Sequence, residues 1–191
     1  TIAAALEETC SFSVRPVSGD PTVPSTAREV VILGELVITQ RFRTYTLSHQ
    51  LTVSSSLTVD GIGSLLGADV SPVSLGPGDA VGVTLYWRVS GDVARDYTIF
   101  VHAVGPDGRV WGQSDTWPAQ GYAPTTTWVV GEIIADEHVL MLDAGAPSGT
   151  YRLYVGLYDA RDGLRAALYL KDERVPEDRA LLSTVDVQAS L

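Results

Sequence analysis

Between residues 111 and 138 the chain gathers most of the side chains that could do chemistry. Trp111, Ser114, Asp115, Trp117, Tyr122 and Trp128 are followed by Glu132, Asp136, Glu137 and His138. Aromatic rings stack on the C–H faces of sugars, and a few polar groups beside them fix hydroxyl positions. The stretch 116–131, with Pro118, Gly121 and Pro124, reads as a long loop, and ordered loops of that length are commonly functional. Trp117, Tyr122 and Trp128, with Asp115 and Asp136 beside them, are therefore the expected ligand-binding residues. The competing reading is packing. A large ring buries well, so Trp111 and Trp128 also read as core, and Trp87 reads as core alone.

The same residues admit three further chemistries. Two of Asp115, Glu132, Asp136 and Glu137 could form the carboxylate pair of a glycosidase, roughly 5–10 Å apart across a cleft. The plainer role of Asp115 and Asp136 is to hold the amides of the 116–131 loop, whose backbone groups need partners. His102, Ser114 and Asp115 could compose a nucleophilic triad, which only geometry can decide. Asp136, Glu137 and His138, with His102, could hold a structural ion such as calcium, but the dense D-x-D spacing of a calcium loop is missing. No G-x-S-x-G, H-E-x-x-H, P-loop or dinucleotide fingerprint is present. The expected protein has no catalytic residues, no metal and no cofactor.

Charge narrows the partners. The chain has 23 acidic and 13 basic residues, a net charge of −10, and no Lys/Arg cluster. That composition argues against nucleic acid and against anionic lipid surfaces. Cys10 is the single cysteine, so no intramolecular disulfide can form. No apolar run reaches the length of a membrane helix, and no signal-peptide pattern opens the chain. Thr1 in place of an initiator Met suggests a processed product or a fragment. The chain has no Asn, one Met and a single Lys against twelve Arg. Either heat adaptation or a GC-rich genome gives that bias.

The elements that must position these residues read as strands. Residues 80–89 alternate, with Val81, Val83, Leu85, Trp87 and Val89 on one face. Residues 30–39, 44–53, 66–75, 97–104, 109–115, 132–142, 150–159, 164–170 and 181–187 complete about ten strands, punctuated by Gly/Pro turns such as Gly105-Pro106-Asp107-Gly108. Residues 171–179 read as a charged loop. Residues 1–10 read as a short helix, and 15–26, with three prolines, as a linker. This pattern predicts an all-β fold, a two-sheet antiparallel sandwich of immunoglobulin-like or jelly-roll-like type. It follows an N-terminal arm over 1–28 and occupies 29–191. Trp87, Ile99, Val101, Leu153, Val155 and Leu157 are its predicted core.

Several runs carry a likeness: PGD at 77–79, LYWRV at 85–89, DYTIFVHAV at 96–104, QSDTWPAQGYAPTTTW at 113–128, GEIIAD at 131–136 and SGTYRLYVGLYD at 148–159. About half of the chain resembles the extracytoplasmic β-sandwich tail of bacterial membrane-embedded mannosyltransferase-like glycosyltransferases and related envelope proteins. The 149–159 strand is also similar to strands of immunoglobulin-like carbohydrate-binding domains in polysaccharide exporters. The resemblance carries over no catalytic residue, because the family's membrane-embedded catalytic part is absent from this sequence. It implies a non-catalytic extracytoplasmic accessory module of the cell envelope, contacting glycans or neighbouring proteins, whose parent is membrane-anchored. The alternative is a purely structural subunit or spacer of a membrane-associated complex.

Overall fold

A computed structural model of the chain describes residues 41–189 and one short strand pair before them. The chain divides into two compact units, residues 1–42 and 43–191. In the first, β1 (Glu8–Thr9) pairs antiparallel with β2 (Val37–Ile38). Apart from these four residues, the helix expected over 1–10, the linker over 15–26, the strand over 30–39 and the boundary at residue 28 lie outside the described residues.

The second unit is all-β. Its strands are β3 (Val53–Val59), β4 (Gly63–Ser71), β5 (Ser74–Leu75), β6 (Ala80–Val89), β7 (Tyr97–Val104), β8 (Val110–Thr116), β9 (Ile133–Met141), β10 (Gly149–Asp159), β11 (Leu168–Leu170), β12 (Glu173–Arg174) and β13 (Ala180–Val187). They form a five-stranded sheet in the order β5-β13-β10-β7-β8 and a six-stranded sheet in the order β12-β11-β3-β4-β6-β9. All ladders are antiparallel except one: β5 runs parallel to β13, with Ser74 opposite Asp186, which departs from the fully antiparallel expectation.

Alternation explains the core. On β6, Val81, Val83, Leu85, Trp87 and Val89 are buried, while Thr84, Tyr86 and Arg88 turn outward. Ile99, Val101, Leu153, Val155 and Leu157 join them from the five-stranded sheet in a single hydrophobic cluster. The predicted core residues are thus all buried together.

Several strand expectations fail locally. Residues 66–75 hold the end of β4 and all of β5, which lie in different sheets. Residues 44–53 alternate but only Val53, the first residue of β3, is in a strand; Thr44 makes an isolated bridge, to Ile133. Asp69 captures this segment instead, accepting from the Thr52 amide at 2.9 Å and pairing with the His49 ring at 2.6 Å. The edge of β4 belongs to β3, a serine-rich strand whose Leu57 and Val59 reach the core. The charged loop at 171–179 also contains β12 and a 3-10 turn, Pro176–Asp178.

The long edge strands β8 and β9 meet at a seam between the sheets. The Asp143 amide donates to the Trp111 carbonyl at 2.8 Å. Gly112 permits this approach, since a Cβ there would stand 3.0 Å from the Met141 carbonyl oxygen. The other two edges, β5 and β12, are only two residues long, which limits edge-to-edge pairing.

Candidate functional site

The 116–131 connection springs from the end of β8. Trp117 is extended (φ −68°, ψ 142°), so strand alternation continues through it and places Gln113, Asp115 and Trp117 on the outer side of the five-stranded sheet. A 3-10 turn, Pro118–Gly121, follows. Its Ala119 and Gln120 both adopt left-handed backbone (φ 51° and 57°), a conformation that costs non-glycine residues energy and needs support from the surroundings. Neighbouring strands supply that support. The Ala119 amide donates to Asp136 Oδ1 at 2.8 Å, and the Gln120 side chain donates to the Glu137 carbonyl at 3.2 Å. Further on, the Thr125 hydroxyl donates to the Arg95 carbonyl at 2.6 Å, and the Thr126 hydroxyl donates to Asp96 at 2.7 Å. The loop is therefore an ordered, tethered element.

What it displays is aromatic. Tyr122 is 83% exposed and Trp117 48%. Trp128 is not available to a ligand: it is 5% exposed, belongs to the core cluster, and donates its indole N–H to the Ala123 carbonyl at 2.8 Å. Asp136 is likewise fully buried and holds loop backbone, as the plainer reading of the carboxylates expects. Glu132 is buried as well, accepting from the Val129 amide at 3.2 Å and from Arg43 at 2.6 Å. Of the five expected ligand-binding residues, Trp117, Tyr122 and Asp115 reach solvent. Trp128 and Asp136 stand behind them as support.

Asp115 sits in a polar group on the outer face. His102 Nε2 donates to its Oδ1 at 3.0 Å, and Tyr158 on β10 lies near enough to favour the ionised carboxylate. Register makes the group legible: Asp115 lies opposite Phe100, Gln113 opposite His102, and Tyr158 opposite Thr98. Phe100 is buried yet stands apart from the core. Its ring lies over Gly156, where a Cβ would come within 2.3 Å of the ring, and beside His102, with ring centroids 4.7 Å apart. Asp115 is among the expected site residues and Tyr158 is not, although the alternation of Tyr158 with Leu157 on β10 places it on the outer face.

A second chain of hydrogen bonds crosses the seam. Asp136 and His138, two apart on β9, share its inner face. His138 Nε2 donates to Asp136 Oδ2 at 2.9 Å, so the Ser114 hydroxyl donates to the remaining ring nitrogen, Nδ1, at 3.0 Å. Ser114 therefore partners His138, whereas His102 partners Asp115; the triad considered from sequence does not assemble. Ser114 and Asp115 are strand neighbours on opposite faces and cannot serve one site. The considered ion site fails by the same rule, because Glu137 points away from Asp136 and His138. Among the described residues no group of three or more His, Cys, Asp or Glu side chains converges on one point.

The carboxylates give the fold an acid sensitivity. Asp115 is held below the usual carboxylate range: burial pushes it up, but His102 and Tyr158 outweigh burial. Asp69 is lowered in the same way by His49, Thr52 and Tyr86 against its desolvation. Asp178 is lowered by Arg174, and Asp159 by Arg161. In each case the folded carboxyl binds its proton less readily than the unfolded one, whose reference is 3.8. The stabilisation is complete above that value and is lost as pH falls through the folded values. Melting temperature should therefore be flat between roughly pH 7 and 5 and drop steeply from about pH 4 downward. Calorimetry showing a flat melting temperature down to about pH 2.5 would remove these four aspartates from the account.

Among the described residues no helix is long and apolar enough to cross a membrane. The chain matches no protein-family model and no curated protein. Among solved structures it is similar to the alkylpurine DNA glycosylase AlkC of Pseudomonas fluorescens bound to DNA containing an abasic site analog, at 8% identity and a TM-score of 0.35 over 71% of this chain. The chain spans 31% of the length of that glycosylase, and a likeness of this size carries nothing about activity.

Proposed function

We propose that this chain is a non-catalytic β-sandwich accessory module of the extracytoplasmic cell envelope, and that it holds glycans on the surface formed by Trp117, Tyr122 and Asp115. The observation that carries the reading is the pairing of exposure with order: two solvent-facing rings stand on a loop whose strained turn is held by a buried carboxylate. Solvent-facing rings on an ordered loop are suited to stacking on sugar faces, and the Asp115–His102 pair on the same sheet face as Trp117 offers hydroxyl partners. The non-catalytic part rests on the carboxylates. Asp136 and Glu132 are buried and hold backbone amides, and Glu137 stands on the outer face of β9, in the other sheet from Asp115.

The test titrates envelope polysaccharides into the wild type and Trp117→Ala. Binding should weaken at least tenfold in the variant, about 1.4 kcal/mol, and acrylamide should quench part of the wild-type tryptophan emission that Trp117→Ala lacks. Equal binding by the two proteins would remove the aromatic surface. The structural-subunit reading would then stand. It is favoured by the exposed Val139 and Met141 side chains, each 61% accessible on the outer face of β9.

A further inference from the structure

The aromatic loop is one end of a longer feature. At the other end of β8 the seam opens into a groove of about 640 Å³, lined by Arg109, Trp111, Gln113, Met141, Leu142 and Asp143. That volume falls within the range of small-ligand sites. Its aromatic ring is fixed. Trp111 Nε1 donates to Asp107 at 2.9 Å, and Gly105 lies so close that a Cβ there would stand 2.7 Å from the ring. The β-bulge between Ala103 and Val104 is what frees Trp111 from the regular alternation and aims it at the seam. Three residues of different polar character line the groove with the ring: Arg109, whose guanidinium stands 5.9 Å from the ring centroid, Gln113 and Asp143. Gln113 belongs both to this groove and to the outer stripe that continues through Asp115 to Trp117.

Resting on the glycan reading above, we infer that the ligand is an extended, uncharged polysaccharide lying along β8, with a Trp111 subsite at one end and a Trp117 subsite at the other. From Arg109 to Trp117, one residue beyond each end of β8, the chain advances eight steps, about 26 Å, enough for about five pyranose rings end to end. The groups along it alternate in character (Arg109, Gln113, His102 with Asp115), which suits hydroxyls rather than a row of like charges. A net charge of −10 adds a field that repels polyanions. A single terminal sugar would use one end and leave the other idle.

The experiment measures affinity of the full chain by calorimetry for neutral gluco- and manno-oligosaccharides of increasing length. Affinity should rise at least tenfold from trimer to about hexamer and then level off, since the strand length sets the number of rings held. Arg109→Ala with Gln113→Ala, both on exposed side chains, should lower hexamer affinity about tenfold and leave the trimer unchanged if the trimer occupies the Trp117 end. Trp117→Ala should weaken both. Equal affinity for trimer and hexamer, or a hexamer indifferent to the Arg109/Gln113 pair of substitutions, overturns the track while leaving the aromatic site. Uronic-acid oligomers binding more tightly than neutral ones also overturn it. Failure of the wild type to bind any member of the series removes the glycan reading itself, and the track with it.

Discussion

Replacing Trp87 with alanine should cost about 3–5 kcal/mol of folding stability, the range for truncating a large buried ring. Trp87 is 1% exposed, and its register places it between Leu65 of β4 and Ile134 of β9, both themselves buried. Few neighbours on a β-ladder can collapse into the space left, because their backbones are fixed by hydrogen bonds to one another. The indole also carries a cost of its own: Trp87 Nε1 has no acceptor among the described residues. Trp87→Phe removes that unpaired donor along with part of the volume, and should cost only about 1–2 kcal/mol. Urea titration with an unchanged m-value checks both. A Trp87→Ala midpoint within error of wild type would mean that this face of β6 is not core.

The contrast between β6 and the segment 44–53 shows where sequence periodicity suffices. Both alternate. Along β6 the apolar parity is unbroken for ten residues and ends in glycine turns, so burial of one face decides the matter. In 44–53 the alternating residues include Tyr45 and His49, and Tyr45 ends 51% exposed. A competing local force, the Asp69 carboxylate, gathers the Thr52 amide and the His49 ring and takes the segment off the sheet. The reverse error occurs at β3. Its run of serines hides a strand because only Leu57 and Val59 need face inward, and pairing with β4 supplies the rest. Partners 17 or 20 residues away leave no mark in a local window.

The candidate site was legible as residue types and illegible as neighbours. Trp117 and Tyr122 were recognisable because Pro118 and Gly121 mark a turn that lifts side chains from the sheet. Trp128 follows the same loop chemistry, but its indole N–H finds a carbonyl five residues back, and that bond lets the ring sink into the core. The three histidines were readable only as isolated candidates. The structure gives each an aspartate: Asp69 for His49, Asp115 for His102, Asp136 for His138. Only the last pair, at i and i+2 on one strand, follows from spacing alone; the others depend on which strands become neighbours.

That last pair supplies the sharpest test of how the aromatic loop is held. Asp136→Ala should cost about 2–6 kcal/mol, the loss expected when two donors lose a shared buried acceptor. The carboxylate, itself without exposed surface, serves two donors, the Ala119 amide at 2.8 Å and the His138 ring at 2.9 Å. Each donor left alone costs about 1–3 kcal/mol, and two of them reach the same total. Asp136→Asn behaves differently. The amide oxygen still accepts from Ala119, and its NH2 can donate to His138 Nε2 once the ring carries its proton on Nδ1. The Ser114 hydroxyl, able to donate or accept, then accepts from that nitrogen. A chain of bonds that can reverse direction should tolerate the substitution at about 1 kcal/mol or less. The two variants should also part company in hydrogen exchange. In Asp136→Ala the Ala119 amide loses protection, and the left-handed turn at Ala119 and Gln120 loses the bond that offsets its strain; in Asp136→Asn both persist. Glycan affinity should follow the same order if an ordered Trp117 matters for binding. Asp136→Ala within about 1 kcal/mol of wild type, or equal exchange at Ala119 in both variants, would show that the loop is held by its threonine tethers alone.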